Sequence, residues 1–171
     1  MLEQFDLPKL KHQLSKEYFD KENYVKLSSC GISWNNRFRG ATAGVARFGT
    51  KNGIEYKNIE ISSKYISAFP DQLKTIMLHE MIHIIFDANE KHGLNFKSEM
   101  NRINNQLECE GHPYRISVHI SRDKMMPKIY KYSYRCSDCG QIYNRVRKSI
   151  DIKKFVCGKC RGKLVEILTD I

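Results

Sequence analysis

Leu78-His79-Glu80-Met81-Ile82-His83-Ile84-Ile85-Phe86 sets two histidines four positions apart, with a glutamate beside the first. On a helix, residues four apart lie one above the other on one face, so His79 and His83 can present two imidazoles to a single metal ion. Glu80 follows His79 by one position, about 100° further round the helix, where its carboxylate reaches a water on that metal. This is the spacing of a zinc peptidase helix. Ile76, Met77, Leu78, Met81, Ile82, Ile84, Ile85 and Phe86 surround the motif with apolar side chains on nearly every side. That pattern predicts a buried helix, in which two histidines and a glutamate would be costly without partners.

A site of this kind takes a third protein ligand and leaves a fourth position open. A third histidine at the metzincin spacing would fall at position 89, after a glycine at 86, but the chain has Asn89 and Phe86. A carboxylate from a following helix would be Glu99 or Glu108. His92 is the better candidate: it lies nine positions after His83 and is followed by Gly93. A helix ending near Asp87-Ala88-Asn89 and a short loop would return it to the metal.

The motif sits in a string that resembles the SprT-like metallopeptidase family, which includes Spartan, the DNA–protein crosslink protease. The matching residues are His79-Glu80-Met81-Ile82-His83, His92-Gly93, Phe96-Lys97 and Met100-Asn101-Arg102-Ile103-Asn104. Ile32-Ser33-Trp34 and Ile59-Glu60-Ile61-Ser62 extend the resemblance upstream, and four cysteines extend it downstream. The resemblance implies an α+β zincin-like domain, with helices packed on a small antiparallel sheet, followed by a C-terminal zinc ribbon. It implies His92 as the third ligand of a catalytic zinc, Glu80 as the general base, and proteins bound or crosslinked to DNA as substrates. The chain departs from Spartan in ending at Ile171, soon after the ribbon, so recruitment through a long tail that binds ubiquitin or a sliding clamp is not expected.

The chain has 171 residues and 41% hydrophobic content, enough for one ordinary domain and a small appendage. The expected division is 1–124 for the metal domain and 125–171 for the ribbon. The start, Met1-Leu2-Glu3-Gln4-Phe5-Asp6, has no basic segment followed by an apolar run, so it does not read as a secretory signal. A soluble, monomeric protein of the cytoplasm, nucleoid or nucleus is expected, with no membrane association.

Net charge is +10, and it is unevenly placed. Residues 122–171 hold 13 Lys+Arg against 5 Asp+Glu, a net of +8, whereas residues 1–121 hold 16 against 14, a net of +2. A basic block of this kind attracts polyanions, nucleic acid above all.

Cys136-x-x-Cys139 and Cys157-x-x-Cys160, with 17 residues between the pairs, match zinc-ribbon spacing. Four thiolates close a zinc coordination shell, so this second zinc is structural. The hairpin arms are expected over Gln141–Lys148 and Asp151–Val156. Tyr143 stands beside Arg145, Arg147 and Lys148; rings stack on unpaired bases and cations neutralise phosphates. These four residues are the expected contacts to single-stranded DNA, the resemblance placing the family's DNA-binding residues near them. Cys30 and Cys109 read as buried free thiols.

Elsewhere, Leu7, Leu10, Leu14 and Tyr18 make one helical stripe. Three strands follow, near 32–38, 43–48 and 54–61, the last two joined by a turn at Asn52-Gly53; an antiparallel meander is expected. The metal helix should run over 70–87 and the next over 95–107, with Phe96, Met100, Ile103 and Leu107 facing it. Tyr114 to Ile120 alternates like a short strand. His112 and His119 lie outside ligand spacing and are assigned no role. Two other classes stay open: a nucleic-acid-binding or transcription-associated module with a weak or inactive zincin site, and a general peptidase indifferent to DNA.

Overall fold

The computed structural model describes residues 5–39 and 42–167 and divides into two compact units, Met1–Met126 and Pro127–Ile171. The first is α+β. The second is built on a small sheet and a four-cysteine cluster.

In the first unit, α1 (Leu7–Tyr18) starts where the Asp6 carboxylate accepts the Lys9 amide at 2.9 Å, and it buries Leu7, Leu14 and Tyr18. The charged segment that follows is a separate helix, α2 (Lys21–Ser28), because the Asp20 side chain accepts the Asn23 amide and starts a new N-terminus. Lys11 is also buried; its ammonium donates to the carbonyls of Leu27 and Cys30 at the end of α2, a cation on the negative end of the helix dipole.

Strands β1 (Gly31–Asn35), β2 (Gly44–Lys51) and β3 (Ile54–Ser62) form one sheet in the order β1-β3-β2. The β2–β3 hairpin is antiparallel and closes through Asn52 and Gly53, both at positive φ (53° and 75°), as a two-residue turn requires. The expected meander does not extend to β1. It pairs in parallel with β3, Ile32 opposite Ile59 and Trp34 opposite Ile61. β3 carries the fully buried Ile59 and Ile61 and takes the centre, the hairpin fixes β2 on one side, and β1 is left the other edge. Alternation in sequence reports which face a residue takes, not which way a strand runs.

Ser62 caps α3 (Ser63–Ala68). Pro70–Gln72 is a 3₁₀ turn rather than the first turn of the long helix, which is α4 (Leu73–Glu90). α4 is buried almost all round, through Leu73, Ile76, Met77, Leu78, Met81, Ile82, Ile84 and Ile85. α5 (Leu94–Cys109) returns with Phe96, Ile103 and Leu107 fully buried. Cys30 is buried, but Cys109, at the end of α5, is exposed.

After α5 the chain is irregular. Tyr114 to Ile120 is not a strand; instead Ile116 is pinned by the buried Asn104, whose side-chain amide donates to the Ile116 carbonyl at 2.9 Å and accepts its N–H at 2.7 Å. One asparagine thus replaces a ladder partner. A 3₁₀ turn, Arg122–Lys124, follows and is tied to Asp71 by Lys124 at 2.9 Å.

In the second unit, β4 (Tyr132–Cys136), β5 (Ile142–Arg145) and β6 (Leu164–Ile167) form an antiparallel sheet in the order β5-β4-β6. The second arm expected over Asp151–Val156 is turn, joined to the rest by one bridge from Val156 to Lys163. Phe155 and Val156 are both more than half exposed, so this stretch buries no face that would hold it as a strand. The third strand comes instead from beyond the second cysteine pair. Among the described residues no helix is long and apolar enough to cross a membrane.

Candidate metal centres

The one-face geometry of α4 brings His79 and His83 together, and the turn after α4 adds His92. The three Nε2 atoms stand 3.2 Å (79 to 83), 3.2 Å (83 to 92) and 3.1 Å (92 to 79) apart. Zinc–nitrogen bonds of about 2.0–2.1 Å in a tetrahedron space ligands by about 3.3–3.4 Å. The trio therefore fits a metal ion of zinc's size. Glu99 and Glu108 are not part of the cluster.

The turn that delivers His92 is built locally. Lys91 takes a left-handed φ of 48°, and the Glu90 carboxylate at the end of α4 accepts the backbone amides of Asn95 (2.8 Å) and Phe96 (3.3 Å). One side chain thus ends α4 and caps α5. Gly93 allows it: a Cβ there would stand 2.5 Å from Glu90 Oε1. Phe96, fully buried, packs its ring against all three imidazoles at centroid distances of 4.5–5.0 Å.

The electrostatics suit ligation. Burial, then the neighbouring His83 and His92, lower His79 to about 4, with the Ser117 backbone opposing. Burial and then His92 lower His83 to about 4. His92 is lowered by burial, His119 and Lys97. All three are shifted towards the neutral imidazole, the form a metal needs. Glu80 moves the other way: burial raises its carboxyl to about 7 against a hydrogen bond from the Ala46 backbone.

Glu80 lies under β2. A Cβ on Gly44 would meet Glu80 Oε1 at 2.9 Å and Ile76 Cγ2 at 2.7 Å, so only glycine lets the strand ride this close to α4. Between β2 and the segment 115–121 lies a cleft of about 340 Å³, with His79 and Glu80 in its lining.

In the second unit the sulfurs of Cys136, Cys139, Cys157 and Cys160 converge within 4.8 Å. Cys136 and Cys160 are 3.4 Å apart, and Cys139 and Cys157 3.6 Å, far beyond a disulfide bond of about 2.05 Å and close to the edge of a zinc–thiolate tetrahedron of about 3.8 Å. Each pair lies on the same tight turn. Gly140 and Arg161, each just after its pair, take φ of 72° and 64°, and their amides donate to the carbonyls of Cys136 and Cys157 at 3.1 and 2.8 Å.

Residues 7–121 match the SprT-like family, and residues 130–168 match the SprT-like zinc ribbon domain. The chain belongs to the SprT-like family. A Protein SprT-like of Oceanobacillus iheyensis is 32% identical over 166 residues, 95% of each chain. One from Lactococcus lactis is 38% identical over 90 residues, covering 53% of this chain and 54% of the relative. The human Germ cell nuclear acidic protein is 28% identical over 148 residues, which cover 80% of this chain and 19% of that protein. No solved structure matches. The ribbon match and the four-cysteine cluster together point to zinc in the second unit of this SprT-like protein.

The residues expected to touch DNA have mixed surroundings. Arg145, Arg147 and Lys148 are exposed, and Lys148 pairs with Glu166 at 3.2 Å. Tyr143 is half-buried. Its hydroxyl lies 3.2 Å from Cys157 Sγ and accepts the Gly158 amide at 3.0 Å, so its polar end serves the cysteine cluster. Its ring, with Arg145 at 6.0 Å, borders a groove of about 270 Å³ shared with Phe155 and Val156. Phe155, 55% exposed, is an aromatic that the cysteine-centred reading passed over. His119, assigned no role from sequence, lines the cleft beside His79 and Glu80; only the path of segment 115–121 brings it there. His112 pairs with Glu110 at 3.5 Å, away from that cleft.

Proposed function

We propose that this SprT-like protein is a zinc-dependent endopeptidase acting on proteins bound to DNA. The observation that carries the reading is the convergence of three imidazoles beside one buried carboxyl, with His79 and Glu80 lining a cleft bordered by the edge of a sheet.

His79, His83 and His92 would hold the ion. Zinc there would supply Lewis acidity and lower the pKa of a bound water towards about 7. Glu80, the only carboxylate bordering the cleft among the described residues, would take a proton from the attacking water. It would then pass the proton to the departing amide nitrogen. Among the described residues β2 pairs with β3 on one side only, so its other edge is available to an extended peptide laid along the cleft.

The DNA part of the reading rests on the second unit: the net charge of residues 122–171 and a groove that joins Tyr143, Arg145 and Phe155. Such a surface takes unpaired bases on its rings and phosphates on its cations. Zinc-loaded protein is mixed with a basic DNA-binding protein, with and without single-stranded DNA. Cleavage that rises at least tenfold with DNA is the expected result. Cleavage indifferent to DNA would leave a general peptidase. DNA binding with no cleavage would favour a nucleic-acid-binding module with an inactive site.

A further inference from the structure

A water-attack mechanism puts negative charge on the oxygen of the cleaved carbonyl, and a positioned donor aimed at that charge is commonly worth two to three orders of magnitude in rate. The proposed function supplies a metal and a base but no such donor. The lining of the cleft narrows the choice. The Arg115 guanidinium is within 3.5 Å of Glu108. The Gln72 amide is committed to Asp71 at 2.8 Å. The hydroxyls of Tyr65 and Thr75 are closed off from solvent. Ser117 Oγ accepts the His119 amide at 3.2 Å.

His119 remains. It is exposed, it lines the same cleft as His79 and Glu80, and its ring has no hydrogen-bond partner among the described residues. It is close enough to His92 to disfavour a proton there. Its backbone is anchored on both sides: Ile116 is fixed by Asn104 through bonds of 2.9 and 2.7 Å, and Lys124 by Asp71 at 2.9 Å. A donor held this way needs little reorganisation as charge develops.

We propose that His119 is a further catalytic residue of this cleft, donating a ring N–H to the carbonyl oxygen of the scissile peptide bond. No bond to His119 forms or breaks, and its proton stays on the ring. Water adds to the carbonyl carbon, the C–N bond breaks, and Glu80 carries the transferred proton. The inference rests on the peptidase reading and adds to it the group that stabilises the oxyanion.

The test uses the full-length, zinc-loaded protein and a quenched fluorescent peptide of basic sequence, with single-stranded DNA present. His119→Ala is expected to lower kcat by about 10²–10³-fold with KM within threefold of wild type. His119→Gln, which keeps an N–H donor, is expected to recover part of that loss. A second readout is binding: a phosphinic analogue of the same peptide, tetrahedral and anionic, should bind His119→Ala at least tenfold more weakly. The parent peptide should bind Glu80→Gln and the Glu80→Gln/His119→Ala double variant alike. A kcat for His119→Ala within threefold of wild type, or a loss confined to KM, would overturn the assignment. A wild-type protein that cleaves nothing would overturn the peptidase reading and this inference with it.

Discussion

His79 and Glu80 are neighbours in sequence and are pushed in opposite senses by the same burial, because burial disfavours whichever form is charged. For His79 and His83 the folded pKa, about 4, lies below the ordinary 6.5. The unfolded chain therefore takes up protons first as pH falls, and stability is lost between about 6.5 and 4. For Glu80 the folded pKa, about 7, lies above the ordinary 4.5. The folded state holds the proton longer, so stability is lost as pH rises from about 4.5 to 7. Glu80→Gln removes the second effect alone. In metal-free protein that variant should match wild type below pH 4.5 and exceed it at pH 8 by an amount on the order of 3 kcal/mol. Chemical denaturation at the two pH values measures this; equal differences at both would show that Glu80 is not held in a desolvated site. The pair of histidines and the glutamate were legible in the sequence because helical spacing alone places them. The Glu80 environment was not, because it depends on Gly44, which approaches from a strand 36 positions away.

At the scale of elements, the histidine cluster is α4 and α5 joined by a turn that one carboxylate organises, with the 115–121 segment as the opposite wall of the cleft. The helices were readable from apolar periodicity, and the hairpin from Asn52-Gly53. The parallel direction of β1 was not, since pairing partners are set by which strand takes the centre. Nor was the wall: residues 114–120 alternate like a strand, but Asn104 takes the place of the missing ladder. Asn104→Ala should therefore do more than remove a side chain. It leaves the Ile116 N–H and C=O unpaired, at roughly 1–3 kcal/mol for each buried group, and frees the segment that carries His119. The expected result is a protein that is less stable in denaturant and has lost peptidase activity while still taking up zinc at His79, His83 and His92. Full activity would show that the wall needs no such anchor.

At the scale of the whole molecule, the chain joins a nearly charge-balanced first unit to a strongly basic ribbon, and their histidine and cysteine clusters have different coordination needs. The four thiolates close a shell, while the three imidazoles leave a position open. The cysteine spacing made the ribbon legible, but its third strand was not, because β6 follows the second pair and the apolar residues before it stay exposed. Tyr143, read from sequence as a stacking residue, also serves the Cys157 sulfur, a contact that only the fold reveals. The proposed activity requires a zinc held by the trio and a proton acceptor at Glu80. It is tested most directly by stripping wild type and Glu80→Gln of metal and returning zinc stepwise, with bound zinc and cleavage of a basic DNA-binding protein in the presence of single-stranded DNA read at each step. Both proteins should bind two zinc ions, with cleavage appearing in wild type only as the histidine site fills and staying at background in Glu80→Gln. Cleavage by Glu80→Gln at the wild-type rate, or activity in protein that holds zinc at the cysteines alone, would contradict it.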